Sequence, residues 1–600
     1  MRHKNIKLSD YVIKFLAGKK VKYVFMLPGG GAMHLDDSLG RNHDLKYICF
    51  LHEQALAIAA EAYGQHTNTP GVGIVTSGPG GTNTITGIAA AYIDSTPCFF
   101  ISGQAKRSDL KIGTGVRQMG SQEVDIISIV SPITKYASMI LDPSEIRYHL
   151  EKAWHYATTG RMGPVWLDIP LDVQAATIDE SALRGYISDE EPVAKDKISS
   201  AVNQIVSMLN LSKRPLILVG NGVKLSNAQE ELYWFAERNS IPILLTWKAI
   251  DMFDYNHPLN FGSPGIMGSR AANFIVQNCD LLLIIGSRMD NSITAFNSAD
   301  FGRNAKKVMV DIDESEILKI KNITLPITAD AKQVLLALNE KQSELNPIGN
   351  SGWLKYCAEL KARYPVVLDE YFKCIDGVNL YVFTDELFKQ LTAEDVIVPE
   401  SSGAAGEVTY QAMHVKVGQK IKNAAGLGSM GFGLPYSIGA CIANGGRRTV
   451  LINGDGSFQL NIQELETVVR LKLPLKTFIW DNNGYGSIMA TQRNMFEGFY
   501  VGSNPSSGLT LPDVCSVAKA YGIRTETIEN HETLGKTIEW VLAGNDPVLC
   551  RIRVTPSQIT APRVQSIKLP NGNMMSKPLE DMWPYLDEAE VKNNMKRFEL

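Results

Sequence analysis

Residues 449–486 read TVLINGDGSFQLNIQELETVVRLKLPLKTFIWDNNGYG. Thr449 to Ile452 is a short β-rich run, Ile462 to Arg470 has helical spacing, and Lys476 to Trp480 is apolar and strand-like. The turn Gly454-Asp455-Gly456-Ser457 follows the first strand. Strand, glycine turn, helix, strand predicts a βαβ unit with its ligand at the carboxyl ends of the strands. Asp455 and Asn482, 27 residues apart, each close one of those strands. Two oxygen ligands so placed can hold a hard divalent cation such as Mg²⁺, which takes its remaining ligands from substrate phosphates. The glycines let backbone amides approach a diphosphate, and the helix N-terminus favours its negative charge. Alone, Gly-Asp-Gly would be an ordinary surface turn; the strand contexts and Asn482 set it apart.

Composition bounds the rest. With 600 residues, 44% hydrophobic and 20% charged, the chain has the make-up of a globular protein of several domains. A net charge of −4 with no long basic run argues against a nucleic-acid surface. No apolar stretch approaches the roughly 18 residues that span a bilayer; the strongest, Leu281 to Ile285, is strand length. The N-terminal MRHKNIKLSDYVIKFLAGKK mixes charge with apolar residues and lacks a signal-peptide core. Eight cysteines without CxxC spacing read as thiols in a reducing compartment. The expectation is a cytoplasmic α/β protein with no membrane or nucleic-acid partner.

Three α/β blocks separate along the chain. The first, 1–185, opens with a helix from Ser9 to Leu16 and a strand from Val21 to Met26, and closes on the buried-strand pattern Pro164 to Pro170. A charged linker, Asp189 to Asp196, follows. The second, 197–345, has strands at Pro215 to Val219, Ile241 to Leu245, Leu281 to Ile285 and Lys307 to Val310, an alternation that predicts a mainly parallel sheet. A polar stretch, Glu340 to Asn350, and a helical connector, Trp353 to Tyr364, lead to the third block, 376–560. Residues 561–600 read as an irregular tail or lid.

Two further segments carry chemistry. His52-Glu53-Gln54-Ala55 starts a helical stretch, where an early glutamate is usually a dipole-stabilised carboxylate. Thr76 to Gln104, TSGPGGTNTITGIAAAYIDSTPCFFISGQ, is strand, glycine turn, helix and strand, without the lysine of a Walker loop. Taken together, HEQ, SGPGGTN with AYIDSTP and SGQ, GLGSMGFGLPYSIGA at 426–440, and GDGSF with DNNGYG resemble, in order and spacing, the acetolactate synthase-like thiamine diphosphate (ThDP) enzymes. The resemblance runs over about 550 residues.

It implies three doubly wound α/β domains: pyrimidine-binding, central and diphosphate-binding. Glu53 matches the family's pyrimidine-activating glutamate, and Met430 the apolar residue that bends the cofactor. Asp455, Asn482 and the Gly484 carbonyl match the Mg²⁺ ligands. Gly454, Gly456 and Ser457 line the diphosphate; Gly428, Tyr485 and Gly486 belong to the same cofactor motifs. Gln122 matches a glutamine near the reacting centre, although a plain surface glutamine reads the same way. Pro28, Gly29 and Gly30 match a turn beside the cofactor and substrate. The family's site lies between two subunits, which implies a homodimer or homotetramer.

Departures matter equally. Many acetolactate synthases have Gly-Gln-His where this chain has Gly403, Ala404 and Ala405, so only backbone contacts could survive there. A tryptophan that shapes the family's acceptor pocket is replaced by Thr491 or Gln492, followed by Arg493, which implies a larger and more polar pocket. Gly220-Asn221-Gly222 and the GSRMD at 286–290 match the family's FAD-carrying domain in outline, and relatives without flavin leave FAD open. The implied activity is ThDP- and Mg²⁺-dependent decarboxylation of a 2-oxo acid, pyruvate first, with transfer of the two-carbon unit to a carbonyl acceptor. The alternative acceptor is a nucleotide-linked ketosugar, giving a branched sugar. Retention of Glu53, Asp455 and Asn482 argues against an inactive regulatory homologue.

Overall fold

The computed structural model describes residues 5–188, 195–346, 351–568 and 570–596. Most of the expected linker, and the end of the polar stretch before residue 351, lie outside the described residues. Three parallel sheets carry the architecture. The first has the order Lys46–Cys49, Tyr23–Met26, Gly71–Val75, Cys98–Gln104, Pro164–Pro170, Tyr136–Met139. The second runs Ile243–Leu245, Pro215–Val219, Leu281–Ile285, Lys306–Asp311, Leu325–Thr328. The third runs Lys420–Ile421, Val396–Pro399, Thr449–Gly454, Leu475–Asp481, Val548–Arg553, Arg524–Ile528.

Numbered by chain order within each sheet, the first and third sheets share the order 2-1-3-4-6-5, and the second is 2-1-3-4-5. These are doubly wound sheets, in which the first and third strands lie side by side and the chain leaves them in opposite directions. Burial explains the sequence pattern. Leu281–Ile285 and Cys98–Gln104 are buried along their whole length, as strands covered by helices on both faces must be.

The first and third sheets pack together within one chain. Helix Glu53–Thr67 lies against helix Gly433–Ala443, and their buried alanines, with Phe432, Tyr436 and Leu451, share one core cluster. Gln54 Oε1 accepts from Asn461 Nδ2 at 2.9 Å, and the Leu51 N–H donates to Glu464 at 3.0 Å. The small side chains let the two helices approach closely.

The described part of the tail carries regular structure, against the expectation of irregularity. Arg563–Val564 pairs with Met582–Trp583, Ser566–Lys568 pairs with Met574–Ser576, and a helix spans Glu588–Lys596. Asn594 accepts from Tyr356 and Glu590 from Tyr364, both on or beside helix Ser351–Arg363, while Glu580 meets Arg303. No helix among the described residues is long and apolar enough to cross a membrane.

Candidate active site

Each sheet ends, where its first and third strands lie side by side, in a pair of turns rich in small residues. In the first sheet these are Pro28-Gly29-Gly30 and the segment Thr76–Gly81. A Cβ on Gly29 would stand 2.5 Å from Thr76 Cβ, and the Gly31 N–H donates to Thr76 Oγ1 at 3.0 Å, so the two turns touch backbone to side chain. Glu53 begins its helix behind the cap His52, whose Nδ1 accepts from the Gln54 N–H. The Glu53 carboxylate is buried, and its Oε2 accepts from Asn83 Nδ2 at 2.9 Å. Gln122 is exposed at φ 60°, and a Cβ on Gly78 would come 2.5 Å from its carbonyl oxygen.

In the third sheet the paired turns are Gly403-Ala404-Ala405 and Gly454-Asp455-Gly456-Ser457. Asp455 is buried; its Oδ1 accepts from the Gly456 N–H at 2.9 Å and its Oδ2 from the Gly484 N–H at 3.1 Å. Burial, with the Asp481 charge adding to it, pushes the Asp455 carboxyl up to about 7. The Asn482 amide oxygen faces acceptors only, 2.7 Å from the Gly484 carbonyl oxygen and 3.2 Å from Asp455 Oδ1. Turning the amide over would hydrogen-bond both oxygens. A cation among the three satisfies them equally and uses the aspartate charge that burial disfavours. Adjacent oxygens of an octahedron with bonds of about 2.1 Å lie about 3 Å apart, close to the spacing found. The donor set of one carboxylate, one amide and one carbonyl therefore fits Mg²⁺. Among the described residues no group of three His, Cys, Asp or Glu side chains converges, so a cation here depends on the amide and the carbonyl.

Around this set, the Gly431 N–H donates to Ser457 Oγ at 2.9 Å, and the Gly431 carbonyl accepts from Asn461. Gly428 and the half-buried Met430 thus sit on a loop pinned to the Gly-Asp-Gly turn. The Tyr485 N–H donates to the Ser503 carbonyl, and Gly486 opens helix Gly486–Met495.

A cavity of about 1380 Å³ gathers Ala404, Asn482, Gly486, Thr491 and Arg493. Ala405 is buried beneath it. Gln492 turns away: its Nε2 donates to the Val501 carbonyl and its Oε1 accepts from Ser503 Oγ, clasping the following loop. Pro28, Glu53 and Gln122 do not line this cavity.

In the central sheet the paired turns are Gly220-Asn221-Gly222 and Gly286-Ser287-Arg288. A Cβ on Gly222 would stand 2.7 Å from the Gly286 Cα, so both turns need glycine to pass. They border a cavity of about 480 Å³ that also reaches Asp94, Lys248 and Asp311. Asn83, Glu407 and Arg563 escaped the sequence reading. Asn83 lay in a quoted motif, whereas nothing in a tail read as irregular marked Arg563.

Comparison with known proteins agrees with this geometry. Residues 6–129 match the family model described as "Thiamine pyrophosphate enzyme, N-terminal TPP binding domain", 202–338 the "central domain", and 402–552 the "C-terminal TPP binding domain". The acetolactate synthase large subunit of Cyanidium caldarium is 33% identical over 92% of this chain and 94% of its own. That of Corynebacterium glutamicum is 34% identical over 85% and 80%. The isozyme 2 large subunit of Escherichia coli K12 is 31% identical over 96% and 99%. The chain is thus a thiamine diphosphate-dependent enzyme of the decarboxylase and carboligase class. Within that class it belongs to the acetolactate synthase-like family.

Proposed function

We propose that the protein uses ThDP and Mg²⁺ to decarboxylate a 2-oxo acid, pyruvate first, and to join the remaining two-carbon unit to a carbonyl acceptor. The observation that carries this is the convergence of the Asp455 carboxylate, the Asn482 side-chain amide and the Gly484 carbonyl on one point at the end of the third sheet. Bound ThDP supplies the electron sink that carbon–carbon bond cleavage and formation require. The chain's own residues hold and shape it. Asp455, Asn482 and Gly484 hold the cation; Gly454, Gly456 and Ser457 would offer small, close-lying backbone to the diphosphate, and Met430 would lie against the cofactor. Glu53, kept in place by Asn83, holds a proton at the pyrimidine.

Glu53 lies outside the large cavity of its own chain. The family resemblance, whose site lies between two subunits, brings into the reading a homodimer or homotetramer in which Glu53 serves the metal set of a second copy. Leu51 and Leu460, which flank the Gln54–Asn461 contact, are 50% and 40% exposed and leave apolar surface for that copy. The reading also places FAD in the central cavity, in a structural role, because the overall reaction has no net redox change. Support comes from the two glycine turns at the side-by-side strands, where doubly wound sheets seat nucleotides. The proposed compartment is the cytoplasm.

One observation favours the ketosugar as acceptor. Thr491 lines the cavity over Asn482, where its hydroxyl donates to the Ser487 carbonyl at 3.0 Å and keeps an acceptor oxygen for a hydroxylated ligand. A site built on hydroxyl hydrogen bonds rejects acceptors lacking them more strongly than an apolar pocket discriminates by size. Labelled pyruvate, offered alone and with a nucleotide-linked 4-ketosugar, is followed by NMR. Rapid acetolactate formation unaffected by the sugar leaves only the simple synthase reading, and no decarboxylation with any acceptor removes both.

A further inference from the structure

Arg563 stands in the wall between the two cavities, and Glu407 and Ile266 line both with it. Its backbone is held from both sides. The Ala561 N–H donates to Tyr381 Oη at 2.9 Å and Gln411 Nε2 donates to the Pro562 carbonyl at 2.7 Å. On the other side, the Val564 N–H donates to the Ile266 carbonyl at 2.9 Å, and Arg563 itself pairs with Trp583. Arg563 is therefore anchored through its backbone and does not hang on a loose tail.

Its charge is unspent. Lys248 meets Asp94 at 2.6 Å, Arg161 meets Asp313 at 2.7 Å, and Arg551 meets Asp513 at 2.9 Å, whereas Arg493, which lines the large cavity, is exposed and has no ion pair within 4.0 Å among the described residues. Among the described residues Arg563 has no ion pair within 4.0 Å and no side-chain hydrogen bond, and its Nε is buried without a partner. Glu407 is near enough to feel the charge but not to pair with it. A buried, unmatched donor of this kind is costly, and a guanidinium presents a flat fork suited to carboxylate or phosphate oxygens. The large cavity that Asn482, Thr491 and Ala404 also line gives an anion access to this fork.

We infer that Arg563 binds the anionic group of the carbonyl acceptor, a carboxylate or a phosphate, and so sets acceptor specificity. The inference rests on the proposed carboligase reading. It separates Arg563 from the metal set, which serves the cofactor whatever the acceptor.

The test uses the full-length holoenzyme with pyruvate as donor and three acceptors: 2-oxobutyrate for a carboxylate, a nucleotide-linked ketosugar for a phosphate, and benzaldehyde as a neutral carbonyl. In Arg563→Gln, kcat/KM for the preferred anionic acceptor is expected to fall about 10- to 100-fold relative to that for benzaldehyde, mainly through KM, the range for one hydrogen bond to a charged group. Arg563→Lys should recover part of the ratio. Whichever anionic acceptor shows the loss names the source of the oxygens. An anionic-to-neutral ratio that stays at the wild-type value overturns the assignment, as does loss of bound flavin with that ratio preserved. Failure of the wild type to release CO₂ from any 2-oxo acid is a different result, and it removes the carboligase reading and this inference together.

Discussion

The Asn482 side-chain amide lies 3.2 Å from Asp455 Oδ1 and 2.7 Å from the Gly484 carbonyl oxygen, so three oxygen-bearing groups crowd one point. Such crowding makes sense around a cation. Asp455→Ala and Asn482→Leu are each expected to weaken Mg²⁺-dependent ThDP binding by at least the roughly 10- to 100-fold that loss of a supporting outer ligand costs. Titration calorimetry of ThDP with and without Mg²⁺ measures this. Wild-type binding by either variant would end the metal assignment.

Glu53→Gln should bind ThDP but lose turnover by about 10²- to 10⁴-fold, the usual worth of a positioned acid or base. Asn83→Ala, which removes the donor to Glu53 Oε2, should give a smaller loss in the same step. Deuterium exchange at the thiazolium carbon of bound ThDP reports it directly. An unchanged exchange rate in Glu53→Gln would take that residue out of the mechanism.

Acid should expose a cost of burial at His66, which sits in the last turn of helix Glu53–Thr67 with its Nδ1 buried and unpartnered. Burial, reinforced by Lys422 and Lys420, lowers its pKa from 6.5 to about 4. The helix C-terminus alone would favour the cation by about 1 kcal/mol or less, so desolvation wins. Between pH 6.5 and 4 the unfolded chain takes up a proton that the folded chain refuses, so stability falls as the pH falls. The shift corresponds to roughly 3 kcal/mol at the acid end. Thermal midpoints of wild type and His66→Gln should converge or cross as pH drops through this window. A constant difference would refute the linkage.

The purified protein is expected to be yellow, and pyruvate should not bleach it. Gly222→Val drives a side chain into the Gly286 backbone and should release the flavin, read from visible absorbance and from FAD in the filtrate. A colourless wild type that takes up no added FAD would rule the flavin out.

Much of this architecture was legible because buried parallel strands advertise themselves. Leu281–Ile285 matched its apolar run to the residue, while Thr449–Gly454 and Leu475–Asp481 extended theirs by one or two. Other boundaries moved where local geometry intervened. Lys20 adopts φ 62°, so the strand expected from Val21 starts at Tyr23, and Ile462–Glu464 forms a 3₁₀ turn ahead of helix Leu465–Arg470. Thr491 and Gln492 were read as alternatives for one place, but neighbours on a helix point about 100° apart. One meets the cavity and the other clasps Ser503. The tail was opaque because its partners, Tyr356, Tyr364 and Arg303, lie more than 200 residues away in sequence and leave no periodic trace.

The 2-1-3-4 start common to the three sheets has a practical corollary. A builder who keeps the sheets can treat each pair of turns as a detachable fitting, since the strands beneath bear the load. The insert from Gly486 to Ser503 is the natural piece to exchange: it carries Thr491 and Arg493 outward and is latched to itself by Gln492. Transplanted into a relative with a narrower mouth, it would carry the contribution of Thr491 and Arg493 along and leave that of Arg563 behind, so the exchange separates the two.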